Sequence, residues 1–321
     1  MRLLFFHNTY YDIIKEIDYK MKISQISKVI SRTWKNPRYF LYFLKNVNIL
    51  HDHFPKAYQR LRARKNLDLG KAQDLKKLHV ILRTTDFVMN LNASRQLEDF
   101  RIRSRNDVIK IGGCSLFPAA KKFAQEFGNE NIRITFVVDR LSEVGLTQYK
   151  DAANSVGMEF DVIEAKGHGN GPTFQTQIDV VLNDSDDTLV LILEDDYKLD
   201  ADSFVTCFKV MRDNSKVIGM NPHFHPDRVR FQDIRGYAVI DKKLYGRVPS
   251  TCCTFFMTAS KIKEYEKYLR VYDGWEKGSV GCAWEKEICL APFGWTLAEH
   301  LHLSDLSPVN ELSSANNGKI R

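Results

Sequence analysis

The chain has 321 residues, 44% of them apolar, and a formal net charge of +7. That is enough apolar material for one large or two modest cores, which excludes disorder as the default state. The six cysteines show no CxxC spacing, which argues against a disulfide scaffold and structural zinc, and no run approaches the roughly 18 consecutive apolar residues of a membrane span.

The charge is unevenly placed. Residues 1–71 carry 15 basic against 5 acidic side chains, and the remainder carry 32 against 35. The first 70 residues are predicted to form a basic helical extension, because Tyr39, Phe40, Tyr42, Phe43, Val47 and Leu50 recur at helical spacing among Lys35, Arg38 and Lys45. The apolar opening, residues 1–6, is broken by His7, Asn8 and Asp12 too early for a signal peptide, so a cytoplasmic protein is expected. A basic, aromatic-rich arm can lie on an anionic membrane surface or on nucleic acid; packing against the rest of the chain is the simpler reading. Peripheral membrane contact through residues 1–70 stays open, and nucleic acid is disfavoured.

From residue 78 the pattern alternates between strand and helix at the spacing of parallel units joined by crossover helices. Residues 78–84 are predicted as the first strand, followed by a polar loop with Thr85 and Asp86. Val108, Ile111, Leu116, Ala119, Ala120, Phe123 and Phe127 trace one helical face, although Gly112 and Gly113 interrupt it and residues 108–111 also suit a strand. A second strand over 132–138 ends at Asp139-Arg140, a helix covers 147–156, a third strand 160–163 and a further helix 173–182. The expected fold is α/β, with about 78–197 forming one half and about 198–310 the other.

The run Leu189-Val190-Leu191-Ile192-Leu193 is apolar on both faces and stops at Glu194-Asp195-Asp196. Strands of that kind are central in parallel sheets, and open α/β sheets bind ligands beyond the carboxyl ends of their strands. Three adjacent carboxylates repel one another unless something positive sits among them. Hard oxygen ligands suit Mg²⁺ or Mn²⁺, ions that usually also hold substrate phosphates. The competing reading is an acidic turn that caps the next helix through Asp200 or Asp202. Three predicted strand ends bring Thr84-Thr85-Asp86, Asp139 and the acidic triplet to one rim. The loop Gly167–Thr173 precedes a helix, so its backbone amides can approach an anion, yet it matches neither a Walker loop nor GxGxxG and reads equally as ordinary punctuation.

This order of parts resembles the GT-A glycosyltransferases, especially family 2-like inverting enzymes with a Glu-Asp-Asp form of the DxD motif, over about residues 78–310. The resemblance implies a GT-A (Rossmann-like) mixed, mainly parallel sheet and the transfer of a hexose or deoxyhexose from a UDP- or GDP-type donor. The acceptor would be a hydroxyl on a glycan or glycolipid. It implies a divalent cation, Mn²⁺ or Mg²⁺, held by Asp196 with Glu194, His300 and His302 as further candidates; the two histidines alternate and share one face of an extended segment. Donor contacts fall on Arg83, Thr84, Thr85, Asp86, Asp139, Asn170, Gly171, Gln177 and Asp195, with Gln177 standing near where many members have a basic residue.

On the acceptor side the resemblance points to Thr251 in the small-residue strand around 249–256, and to Trp275 and Trp284 as sugar-stacking rings. Cys282-Ala283-Trp284-Glu285-Lys286-Glu287 resembles the Trp-Glu-Asp region at a helix start, which makes Glu285 the expected catalytic base and Glu287 its substitute. His223 and His225 are read as loop residues near the acceptor. Two alternatives are weaker: a nucleotidyltransferase, which needs a Gly-rich basic loop absent after residue 83, and a membrane- or nucleic-acid-binding protein with an inert GT-A-like domain.

Overall fold

The computed structural model describes residues 67–85, 105–223, 236–249, 251, 254–271 and 280–301. The helical extension expected over residues 1–70 therefore lies almost wholly outside the described residues. In chain order the elements are β1 (Lys77–Thr84), α1 (Arg105–Ile111), α2 (Leu116–Phe127), β2 (Ile132–Val138), α3 (Glu143–Val156) and β3 (Asp161–Glu164). Next come α4 (Asn170–Val181), β4 (Thr188–Glu194), β5 (Tyr197–Leu199), α5 (Ser203–Arg212) and β6 (Val217–Met220). The last are β7 (Tyr237–Ile240), β8 (Lys243–Arg247), β9 (Phe255–Thr258), α6 (Ala259–Leu269), α7 (Val280–Lys286), β10 (Ile288–Pro292) and β11 (Ala298–His300).

The chain forms two compact units. The larger, Leu69–His223 with Pro249–Cys289 and Leu297–Arg321, holds strands in the order β3-β2-β1-β4-β9-β6. β1 runs parallel to β2 and β4, β2 runs parallel to β3, and β9 is antiparallel to both β4 and β6. The result is the expected mixed, mainly parallel sheet. β4 lies between β1 and β9 and is buried from Thr188 to Leu193, side chains of both faces included, so its sequence needs no polar face. Helices α4, α6 and α7 contact one another in one group and α1, α2, α3 and α5 in another. Phe136 stacks on Phe160 at 4.3 Å between ring centroids and meets Tyr149 edge-on at 4.6 Å, filling the space between β2 and α3.

Local chemistry moves several boundaries. Residues 108–111 are helical, and the Gly112-Gly113 pair turns the chain into a short 3₁₀ segment before α2. A Cβ on Gly112 would stand 2.2 Å from the carbonyl oxygen of Asp195, so only glycine permits that approach. α3 begins at Glu143 because the Ser142 hydroxyl accepts a bond from Gly145 N at 3.1 Å, and α4 begins at Asn170. Glu194 ends β4, and Asp195 and Asp196 form the turn before β5; Asp200 Oδ1 accepts from Asp202 N at 2.8 Å. Where the parallel strands begin, His79 is sealed at 1% exposure between Asp184 and Thr135.

The smaller unit comprises Met1–Asp68, Phe224–Val248 and Leu290–Thr296. Its β7–β8 hairpin turns through Asp241 and Lys242 at φ 49° and 64°, the positive pair that a two-residue hairpin turn requires. Leu290–Pro292 adds antiparallel to β8, and Trp295 Nε1 donates to Leu244 O at 2.8 Å. Among the described residues no helix is long and apolar enough to cross a membrane.

Candidate active site

Strand register brings the predicted residues to one rim of the larger unit. Arg83 stands opposite Glu194, and Thr84 opposite Val138, so Asp139 and Asp195 follow at the same level. Buried bonds hold this rim rigid. Thr84 Oγ1 donates to Asp195 Oδ2 at 2.5 Å and lies 2.9 Å from the Tyr149 hydroxyl, so Thr84 and the 5%-exposed Asp195 serve the turn's internal structure. Tyr149, absent from the sequence expectations, completes this chain from α3.

Arg83 donates to Asn170 O at 3.0 Å and to Glu194 Oε1, joining β1, β4 and the start of α4. Burial pushes the Glu194 carboxyl upward; the Asp196 charge pushes the same way and Arg83 opposes both. Glu194, an expected metal ligand, and Arg83, an expected donor contact, are thus paired with each other in this arrangement. Gln177 is corrected. It is fully buried, and its Nε2 bridges Ile81 O at 2.7 Å and Leu193 O at 3.2 Å, inside the sheet rather than on a donor.

Asp139 is gripped from three sides. Arg140 Nε donates at 2.9 Å, His168 Nδ1 lies 2.6 Å away, and Gly169 N donates at 2.8 Å. Burial works to raise its pKa, but the bonds from Arg140, Gly169 and His168 outweigh burial and hold the carboxyl below the usual range. The loop before α4 is thereby pinned to the end of β2, with Asn170 exposed and Gly171 half-buried at the helix start. Thr85 is half-buried beside them.

The feature that most resembles a metal site is Asp196 with His300. β11 pairs antiparallel with β5 so that His300 lies opposite Tyr197, and Leu301 N donates to Asp196 O at 2.9 Å. This two-strand ribbon sets His300 Nε2 at 3.1 Å from Asp196 Oδ2. The Tyr197 ring lies 4.6 Å from the imidazole of His300 and 5.8 Å from that of His223. His223, buried at 7% exposure, tethers β11 through Ala298 O at 2.9 Å and is a structural part of the ribbon rather than a surface loop residue. Its placement depends on pairing with residues 75 positions away, a signal that local sequence does not carry.

Among the described residues no group of three or more His, Cys, Asp and Glu side chains forms a metal cage. A carboxylate with an adjacent imidazole still fits a divalent ion of the kind that takes one or two protein ligands and completes its shell with phosphates and water. Asp196 and His300 are the residues that would hold it.

The acceptor-side expectations fare less well. Trp284 is fully buried, its Nε1 donates to Thr251 Oγ1 at 3.0 Å, and its ring meets Phe255 edge-on, so neither Trp284 nor the 2%-exposed Thr251 offers a surface to a sugar. Glu287 bonds Lys261 Nζ and the Tyr265 hydroxyl, each at 3.2 Å, on the first turns of α6. That helix starts directly after Thr258, which pairs with Leu189 near the amino end of β4, so Glu287 sits away from the rim and is corrected as a base. Glu285 falls in the last turn of α7, not at a helix start. Asp86, Trp275, His225 and His302 lie outside the described residues.

No family model matches the sequence, and no curated protein does. Among solved structures, a mannosyltransferase from Pyrobaculum calidifontis in complex with GDP-mannose and Mn²⁺ is similar at a TM-score of 0.50 and 11% identity, covering 85% of this chain and 75% of that one. TarS from S. aureus reaches a TM-score of 0.44 at 12% identity over 69% of this chain and 36% of its own. Glucosyl-3-phosphoglycerate synthase from Mycobacterium tuberculosis reaches 0.39 at 6% identity over 75% of this chain and 76% of its own. Likeness at these identities is one of fold, and the first structure carries it: the chain has the mixed, mainly parallel α/β architecture of the GT-A type.

Proposed function

We propose that the protein is a metal-dependent glycosyltransferase that moves a sugar from a nucleotide-diphosphate donor to a hydroxyl acceptor. The observation that carries this reading is the Asp196–His300 pair, 3.1 Å apart at the carboxyl end of a central strand in a GT-A-type sheet. The mannosyltransferase of like fold binds GDP-mannose and Mn²⁺, which makes GDP- and UDP-linked donors the first to test.

In this reading Asp196 and His300 hold a divalent cation that, when bound, neutralises charge developing on the departing diphosphate. Asp195 and Thr84 keep the turn from collapsing when that charge arrives, since their bond to each other is made within the protein. The base and ribose lie toward Asp139, where the loop Gly167–Asn170 closes over the end of β2. The acceptor is a hydroxyl of a glycan or glycolipid. Transfer inverts the anomeric centre, with Glu285 taking the acceptor proton.

The deciding experiment is a thermal-shift screen of UDP, GDP and their sugar conjugates with and without Mn²⁺, because a ligand bound only by the folded form raises its apparent stability. A Mn²⁺-dependent shift that disappears in Asp196→Ala is expected. Binding that needs no metal and survives Asp196→Ala would sink the proposal. Glu285→Gln should stop transfer while nucleotide binding persists; unchanged turnover would remove Glu285 from that role.

A further inference from the structure

The ribbon of β5 and β11 holds Asp196 beside His300, yet each of its strands is only three residues long. A two-stranded ribbon is marginal on its own, so the spacing of that pair depends on what grips the ribbon from outside. Asp200 N donates to Leu297 O and Leu301 N to Asp196 O, each at 2.9 Å. With the ladder bonds in that phase, the opposed residues Leu199 and Ala298 turn their backbone N–H and C=O groups outward. Side chains catch both edges. His223 Nδ1 meets Ala298 O at 2.9 Å on the β11 side, and Leu199 N donates to Ser115 Oγ at 2.7 Å on the β5 side.

Ser115 closes the 3₁₀ segment that follows α1 and is half-buried. Its hydroxyl hydrogen goes to Gly112 O, with Tyr197 O 3.4 Å away. The same stretch of chain touches both flanks of the Asp196–His300 pair. Gly112 lies against Asp195 O, one residue before Asp196, and Leu301, one residue after His300, packs on Val108 and Ile111. Apolar packing is non-directional, whereas a hydrogen bond to one amide is confined in both distance and angle. The Ser115 hydroxyl supplies that directional contact to β5.

We propose that Ser115 is a positioning residue for the divalent cation: by holding the outer edge of β5 it sets the separation of the Asp196 carboxylate and the His300 imidazole. This rests on the transferase reading above and extends it to a residue that acts only through others. Groups that orient metal ligands from behind change metal affinity when they are removed, even though they never touch the ion.

In the test, Mn²⁺ is titrated calorimetrically into the full chain with excess UDP or GDP, and into Ser115→Ala under the same conditions, with the heat of Mn²⁺ binding to free nucleotide subtracted. Losing one hydrogen bond should raise the Mn²⁺ concentration at half-saturation roughly fivefold. Ser115→Thr keeps the hydroxyl and should return it to within about twofold of wild type. A bond of structural value alone would lower unfolding stability and leave the titration unmoved, and that result overturns the inference. So does a threonine variant as weak as the alanine one. If Ser115→Ala fails to fold, Ser115→Cys takes its place, because a thiol is a weak acceptor, and the same increase is expected. A wild-type chain that takes up no Mn²⁺ with either nucleotide overturns the cation reading itself, before any variant is compared.

Discussion

Two histidine–aspartate pairs in the larger unit, chemically alike, have opposite fates. His79 Nδ1 lies 2.7 Å from Asp184 Oδ2 and its Nε2 lies 2.8 Å from Thr135 Oγ1, so both ring nitrogens are committed inside the protein. Its side chain is 1% exposed. His300 Nε2 lies 3.1 Å from Asp196 Oδ2, and those two side chains are 18% and 19% exposed. The difference is one of position along the strand. His79 is the third residue of β1, near the end where the parallel strands begin, while Asp196 stands two residues beyond the end of β4. Backbone dipoles, loops and helix starts converge at the carboxyl ends of a parallel sheet, so a polar pair there can meet a ligand, whereas the same pair at the other end closes a core.

The largest expected effect sharpens this contrast by showing that the rim also contains closed pairs. Arg83→Ala leaves the Glu194 carboxylate facing Asp196 without its guanidinium, and removing one partner of a buried ion pair costs about 3–5 kcal/mol. Urea denaturation should read that loss, and Arg83→Lys should restore part of it. Next, His79→Leu strands a carboxylate and a fully buried hydroxyl, at about 3 kcal/mol for the two together, with Mn²⁺-dependent nucleotide binding unchanged. Loss of that binding in folded His79→Leu protein would break the contrast outright. His300→Ala should do the reverse: nucleotide affinity in the presence of Mn²⁺ falls roughly tenfold to a hundredfold while unfolding stability stays within about 1 kcal/mol of wild type.

The same contrast explains what could be read from the chain before folding. β4 was legible because an apolar run bounded by charges has few other interpretations, and the parallel order followed from the spacing of such runs. Asp196 and His300 were legible as residue types at strand ends. Their neighbours were not. Gln177 has the chemistry of a ligand contact, yet carbonyls 96 and 16 residues away claim its amide, and Glu194 has the chemistry of a metal ligand, yet Arg83 from 111 residues away neutralises it. Trp284 has the chemistry of a stacking ring, and nothing local shows that Gly219 leaves room for it in the core. Polar side chains declare what they can bond; the fold decides which partner arrives first.

Asp139 gives the smallest effect and the finest division of the rim. Its side chain is 3% exposed, and burial alone would raise its pKa, but bonds from Arg140, Gly169 and His168 bring it below the ordinary value. A carboxyl depressed in the folded state stabilises at every pH above its unfolded value, near 3.9, and that contribution disappears as pH falls through the folded value. Asp139→Asn is nearly isosteric and has no carboxylate to titrate. The wild type should therefore exceed the variant by about 1 kcal/mol from about pH 5 to 8, with the gap closing below about pH 4. Chemical denaturation across that range measures it. A gap that persists unchanged to about pH 2.5 would mean that the carboxyl titrates alike in folded and unfolded chains. The loop Gly167–Asn170 would then not be pinned by charge, and Asp139 would fall with His300 among the residues poised for a ligand instead of with His79 among those already satisfied.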